Sequence, residues 1–207
     1  MHISDGVLSA PVILTGWVIT LGFIIVTFKL KMQESDILEE IPKFSVMTAA
    51  FFVASLIHLP MGPTSVHPIF NGLIGVVLGP LAYISLAVGL TLQAFLFQHG
   101  GITTIGINTV LVGIPALMAY YTFKFGTQKG ITVKILGAGC GVLAIIVTTI
   151  LLVITLITTG KEFLGVAQVT AAAHIPLMVI EGLLTGTVVT YIAKVKPELL
   201  PVKLKNK

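Results

Sequence analysis

The chain has 207 residues, 56% of them hydrophobic and only 10% charged, with a mean hydropathy of +1.06. A soluble domain carries about a quarter charged residues, so this composition excludes an ordinary soluble globular fold and places the chain in a bilayer. The net charge of +4 is carried by lysine alone, and a chain without arginine lacks the planar bidentate groups that suit phosphate or nucleic acid.

The sequence opens Met1-His2-Ile3-Ser4-Asp5-Gly6, with no positively charged segment ahead of the first apolar stretch. No signal peptide is therefore expected, and Met1 is a candidate for the mature terminus. Apolar runs follow at Pro11–Leu30, Phe44–Leu59, His67–Gly79, Leu81–Phe97, Thr109–Gly126, Ile135–Thr159 and Val169–Val195. A helix needs about 20 residues to cross a bilayer, and the third run is short. It meets the fourth at Gly79-Pro80, so the chain either reverses there or makes one long kinked span from Ile69 to Phe97.

Lysine decides between the two. With a reversal and an outside N-terminus, three lysine-bearing regions lie inside: Lys29, Lys31 and Lys43; Lys124, Lys129 and Lys134; and the tail from Lys194 to Lys207. Only Lys161 is left outside, as the concentration of lysine in cytoplasmic loops requires. Tyr83, Tyr120, Tyr121 and Tyr191 fall near the inner boundaries, where amphipathic rings settle. The expected fold is an all-α membrane protein: residues 1–207 form one bundle of about seven transmembrane helices, N-terminus outside and C-terminus cytoplasmic. Cys140, in a glycine-rich apolar run, reads as a small packing residue rather than part of a disulfide framework.

This topology gathers all five histidines, His2, His58, His67, His99 and His174, at or near the outer surface. Imidazole is the commonest protein ligand for borderline metals, although any one of these side chains could simply satisfy a helix end. His2 has chemistry of its own. The free amine of Met1, the amide nitrogen of His2 and its ring Nδ1 can close adjacent chelate rings on one ion. Three corners of a square are then nitrogen, a geometry that suits Ni(II) or Cu(II), and the bulky His2 disfavours removal of the initiator methionine.

The fourth corner is best sought in Pro60-Met-Gly-Pro-Thr-Ser-Val-His67-Pro-Ile-Phe-Asn71-Gly72, an irregular outer loop of the kind that lines cavities. His67 offers the nitrogen, with Thr64, Ser65 and Asn71 placed to orient ligands. A second outer loop, from Gln98 to Asn108, is uncharged and rich in Gly and Thr. With His99 and Asn108 it either covers the site as a lid or is only a turn. His58, closing the second span, belongs to the same outer group.

The chain resembles the nickel/cobalt substrate-capture subunits of energy-coupling factor transporters, the CbiM/NikM family. The resemblance rests on Met1-His2-Ile3-Ser4-Asp5-Gly6-Val7-Leu8-Ser9, Thr64-Ser65-Val66-His67, Asn71-Gly72-Leu73 through Leu78-Gly79-Pro80, Gly100-Gly101-Ile102-Thr103 and His174-Ile175-Pro176 with Ile180-Glu181-Gly182. Departures at Ser4 and Gly62-Pro63 remove no nitrogen ligand. The resemblance implies an N-terminal segment inserted into the bundle, with metal held by the Met1 amine, by His2 through backbone and ring nitrogens, and by His67. It implies Ni(II) or Co(II) as substrate in a prokaryotic plasma membrane; a four-nitrogen plane makes Ni(II) the first choice, with Co(II) the alternative. It also implies a transmembrane coupling subunit and ATPase subunits as partners, and leaves open a small accessory membrane subunit.

Two further features sit in the spans. Glu181 is an intramembrane carboxylate that needs a partner, either as a relay or, more plainly, as a tie between helices. Ala50 and Ala54 form a small-xxx-small pair, which in this family's fold docks the coupling subunit and otherwise serves internal packing. No phosphate-binding Gly-x-x-x-x-Gly-Lys-Ser/Thr loop and no His-Glu-x-x-His motif is present, so neither an ATPase nor a zinc protease is encoded. A self-contained metal channel or secondary carrier is the alternative, and it would call for polar rings along several spans.

Overall fold

The computed structural model describes residues 2–32, 37–61 and 64–202, with side chains throughout except at 30–32, 37, 59–61 and 64–65. Among the described residues there are seven α-helices: α1 (Ala10–Met32), α2 (Ile37–Ala54), α3 (Asn71–Leu78), α4 (Ala82–Phe97), α5 (Ile105–Gln128), α6 (Val133–Thr159) and α7 (Leu164–Val195). The expected all-α architecture gains a two-stranded antiparallel ribbon, β1 (Leu59–Met61) with β2 (Thr64–Val66), in which Leu59 pairs with Val66. This ribbon carries the chain from α2 to His67. Thr64 and Val66 are β-branched and suit a strand, and Pro60 stops the chain from continuing as helix.

Among the described residues, five segments are long and apolar enough to cross a bilayer: Ala10–Lys29, Asn71–Phe97, Ile105–Gln128, Val133–Thr159 and Lys161–Val195. The expected seven are not all met by this measure. In α2, Glu39, Glu40 and Lys43 occupy the first two turns, and Asn71–Phe97 counts as one apolar run. Within that run, however, the chain doubles back. Along α3 and α5, Asn71 Nδ2 donates to the Val112 carbonyl, Gly75 lies against Ala116, and Gly79 against Tyr120, so the two helices run the same way. By contrast, the Tyr83 ring of α4 sits back at Gly113. Gly79, at φ 60, and the following 3-10 turn Gly79–Leu81 make the reversal.

Small residues let these helices approach closely. A Cβ on Gly75 would strike the Ala116 backbone, and one on Gly141 the backbone of Glu181, as expected where tight packing rather than hydrophobic exclusion holds helices together. The outward faces remain apolar, with Leu14 65%, Val18 71% and Leu183 67% exposed. Apolar belts of this extent belong against lipid rather than water. Ala54 is only 8% exposed and packs inward, while Ala50 is half-buried. The Ala50–Ala54 pair is therefore not an outward face; the exposed stripe of α2 runs instead through Ser45, Ala49 and Val53.

Glu181, fully buried on α7, accepts backbone N–H bonds from Ile69 at 2.6 Å and Phe70 at 2.9 Å through Oε1. Phe70 has a left-handed backbone (φ 56) and precedes the first residue of α3. The carboxylate thus satisfies donors that a buried helix start would otherwise leave orphaned. Of the two readings from the sequence, the tie between helices is the one with contacts behind it.

Glu181→Leu should leave both N–H groups unpaired and lower the melting temperature of the detergent-purified protein, at a cost of about 1–3 kcal/mol per orphaned donor. Glu181→Gln keeps a carbonyl acceptor and should retain most of the stability. Equal losses in the two variants would show that charge, not the acceptor, holds this turn.

Candidate metal centre

The N-terminal segment is held at one end of the bundle by hydrogen bonds to its backbone. Ile3, fully buried, donates its N–H to Asn108 Oδ1 at 2.9 Å. Its carbonyl accepts from Thr104 Oγ1 at 2.7 Å and Asn108 Nδ2 at 3.1 Å. The Asn108 amide therefore pairs with Ile3 as a neighbouring strand would, matching one donor and one acceptor. Two residues on, Asp5 accepts from the backbone N–H groups of Ile102 and Thr103, each at 3.0 Å, and from the Thr103 hydroxyl at 2.5 Å. The Thr103 hydroxyl above all, with these N–H groups, holds the Asp5 carboxyl below its ordinary range. Asp5 ties the N-terminal segment to the loop just before α5, and its oxygens are committed to that task.

Glycine makes this docking possible. Gly100 is left-handed (φ 81), and a Cβ there would press on His2; a Cβ on Gly101 would overlap the Asp5 carboxylate. Trp17 closes the other side, donating its indole N–H to the Thr103 carbonyl at 2.8 Å. The loop read from sequence as lid or turn is the floor on which the N-terminus lies.

So positioned, His2 is 2% exposed and faces His67, also 2% exposed, with ring centroids 4.8 Å apart. His99 meets both, at 4.5 Å from His2 and 5.6 Å from His67. One ring nitrogen from each of the three lies within 4.8 Å of the others. An imidazole sits roughly 2.0–2.1 Å from a bound divalent ion, so ligands on opposite sides are about 4.2 Å apart. Small ring rotations would close all three on one ion. In His67, Nδ1 is 2.7 Å from the Pro68 carbonyl and must be the protonated nitrogen there. That leaves Nε2 as a buried lone pair with no hydrogen-bond partner among the described residues. An imidazole whose other nitrogen is anchored on a carbonyl is the usual form of a metal-ligating histidine.

Burial pushes His67 down to about 4, aided by nearby His174 and opposed by its bond to Pro68. Burial likewise takes His99 down to about 4, with His67 and His58 adding to the effect. Both rings are therefore neutral at physiological pH, the state in which imidazole binds metal.

Not every residue singled out in the sequence reaches this cluster. Met1 and the side chain of Ser65 lie outside the described residues. Asn71 points into the helix core, where Nδ2 donates to Val112 and Thr148 and Oδ1 accepts from Gly72. It fixes α3 against α5 and α6 and does not orient His67. His174, buried on α7, holds its own Nδ1 against the Thr170 carbonyl at 2.6 Å. His58 is exposed and contacts His99. His99, placed by the sequence in a loop that either covers the site or is only a turn, touches both buried imidazoles directly. Asn108, too, proves to grip the backbone of the N-terminal segment rather than to line a lid.

The family described as CbiM, cobalt uptake substrate-specific transmembrane region, matches residues 2–199. A Haemophilus influenzae protein provisionally named a metal transport protein is 33% identical over 204 residues, 97% of each chain. The cobalt transport protein CbiM of Kyrpidia tusciae is 33% identical over 213 residues, covering 97% of this chain and 86% of its own. Among solved structures, a transition metal transporter matches with a TM-score of 0.84 at 24% identity, covering 94% of this chain and 93% of that one. At that identity the likeness speaks for the fold.

Proton competition distinguishes the candidate ligands. At His67 and His99 it sets in only as pH falls toward about 4, whereas an α-amine has an ordinary pKa of about 7.7–8.0. If the Met1 amine is a ligand, Ni(II) affinity measured by titration should already fall between pH 8 and 6.5, by about tenfold per unit below the amine pKa. A flat profile over that interval would exclude the amine and leave the imidazoles to hold the ion.

Proposed function

The chain belongs to the CbiM family of cobalt uptake transmembrane components, and on that footing we propose that it captures Ni(II) or Co(II) at its outer face and passes the ion to an ATP-driven transporter of the energy-coupling factor type. The observation that carries this reading is the burial of His2 beside His67 Nε2, with Asn108 gripping the next peptide. With Ile3 held in this way, a free amine at Met1 would be within chelating reach of the ion bound by the His2 amide and ring. With His67 they supply four nitrogens, which favours Ni(II) in a plane. The three imidazoles His2, His67 and His99 are a second donor set, less planar and better matched to Co(II). His67 belongs to both.

In this reading the bundle lies in a prokaryotic plasma membrane with α3 as a short limb that turns back at Gly79 into α4, and with the N-terminus and the histidines outside. The reversal at Gly79 and the lysine distribution support that arrangement and orientation. The chain acts as a binding subunit and leaves ATP hydrolysis to partners. A self-contained channel is disfavoured because Glu181, the carboxylate of the inner spans, is engaged at the start of α3. The coupling subunit docks on the outward stripe of α2, where Ser45 and Ala49 stand four residues apart and admit a second helix.

Reconstituted alone in liposomes, the chain should bind the ion and transport none; with coupling and ATPase subunits it should accumulate Co(II) or Ni(II) on adding ATP. Ala49→Leu should abolish that uptake while leaving metal affinity unchanged, since it blocks a close helix approach far from the site. Uptake by the chain alone would establish the carrier instead, and full uptake by Ala49→Leu would place the docking face elsewhere.

A further inference from the structure

Four imidazoles form a graded path from solvent to the buried site. His58 is exposed, His99 is half-buried, and His2 and His67 are buried. The His58 and His99 rings lie with centroids 4.3 Å apart and tilted by 41°. His99 also touches both buried rings. It is therefore the ring common to an outer pair and an inner set. Its backbone is fixed as well: it lies between left-handed Gln98 (φ 52) and Gly100 (φ 81), and its N–H bonds to the Gln93 carbonyl at 3.2 Å.

A hydrated divalent ion cannot enter a site where both rings are almost wholly covered without first shedding water, and dehydration of polar species is costly. We propose that His58 and His99 form a loading station for a borderline divalent cation, one that takes the ion while it still carries water and delivers it inward; this rests on the metal-capture reading above. The exchange proceeds by ligand substitution alone. His58 and His99 each replace one water on the arriving ion. The ion then gains a bond to His67 Nε2 or to a nitrogen of the N-terminal segment as a further water leaves, with His99 still bound. A further nitrogen of the buried site then displaces His58, whose ring returns to solvent. The oxidation state of the metal does not change, and one bond forms for each that breaks.

Such a station alters rates in both directions and leaves the equilibrium alone, because His58 is no ligand in the final state. Rapid mixing of the full-length protein, free N-terminus intact, with Co(II) or Ni(II) reads this directly. Trp17, the sole tryptophan, is bonded to the loop that holds His99 and reports by fluorescence; a chelator chase gives the release rate. His58→Ala and His58→Gln should slow binding and release alike by about tenfold, within the range over which association rates respond to single changes at one site, with Kd unchanged. An unaltered binding rate in both variants would overturn the proposal and leave the pair as packing. A weaker Kd at an unaltered binding rate would also overturn it, making His58 a ligand of the final state. His67→Ala, measured alongside, should raise Kd; if it does not, the buried site itself has been misassigned, a failure separate from that of the station.

Discussion

Everything at the metal centre depends on one grip, the side-chain amide of Asn108 on both polar groups of the Ile3 peptide. An N-terminus is the least constrained part of most chains, and ordering even a few residues costs about 1–2 kcal/mol of backbone entropy for each. Asn108 and Thr104 supply three hydrogen bonds to Ile3, and Ile102 and Thr103, just before α5, supply three more to Asp5. Ile3 itself is buried apolar surface. Together these fix the backbone on either side of Ser4, so that His2 has one place to go. Without them a terminal chelate would form wherever the chain wandered, with no claim on His67.

The second constraint comes from the membrane-facing fold. With apolar outward faces, the polar groups within the spans turn inward, and each buried group needs a partner. Glu181 meets that need for the turn at Ile69 and Phe70, immediately after His67-Pro68. The Pro68 carbonyl then orients the His67 ring. A chain of contacts thus runs from α7 through the start of α3 to the buried His67 ring beside His2. The same logic explains the two glycines of the floor, where any side chain would occupy the volume of the docked segment.

Much of this was legible in the sequence, for identifiable reasons. The apolar runs, the break at Gly79-Pro80 and the lysine-rich loops follow from composition and period, which act locally. His2 and His67 could be singled out because terminal chelation and a proline-bounded loop are chemical facts about short segments. What escaped was tertiary. Asn108 lies 105 residues from Ile3, and nothing in either segment announces the pairing. Asn71 looked like a neighbour of His67 because it is four residues away, yet the first turn of α3 carries it into the core toward Thr148. Ala54 resembled a docking residue through its spacing from Ala50, but the rotation of α2 in the bundle turns it inward.

The central claim is that the N-terminal amine and His2 are brought to His67 as one prearranged set. It is tested most directly by titrating Ni(II) into two preparations of the same protein: one with the Met1 amine free, the other with it acetylated. Acetylation removes one nitrogen donor and its charge while leaving His2, His67, His99 and the Asn108 grip chemically intact. The account predicts a loss of affinity of about a hundredfold or more, the scale on which a ligand matters beyond its supporting contacts, with the melting temperature of the metal-free protein unchanged. Equal affinity in the two preparations would contradict it and transfer the site to the three imidazoles.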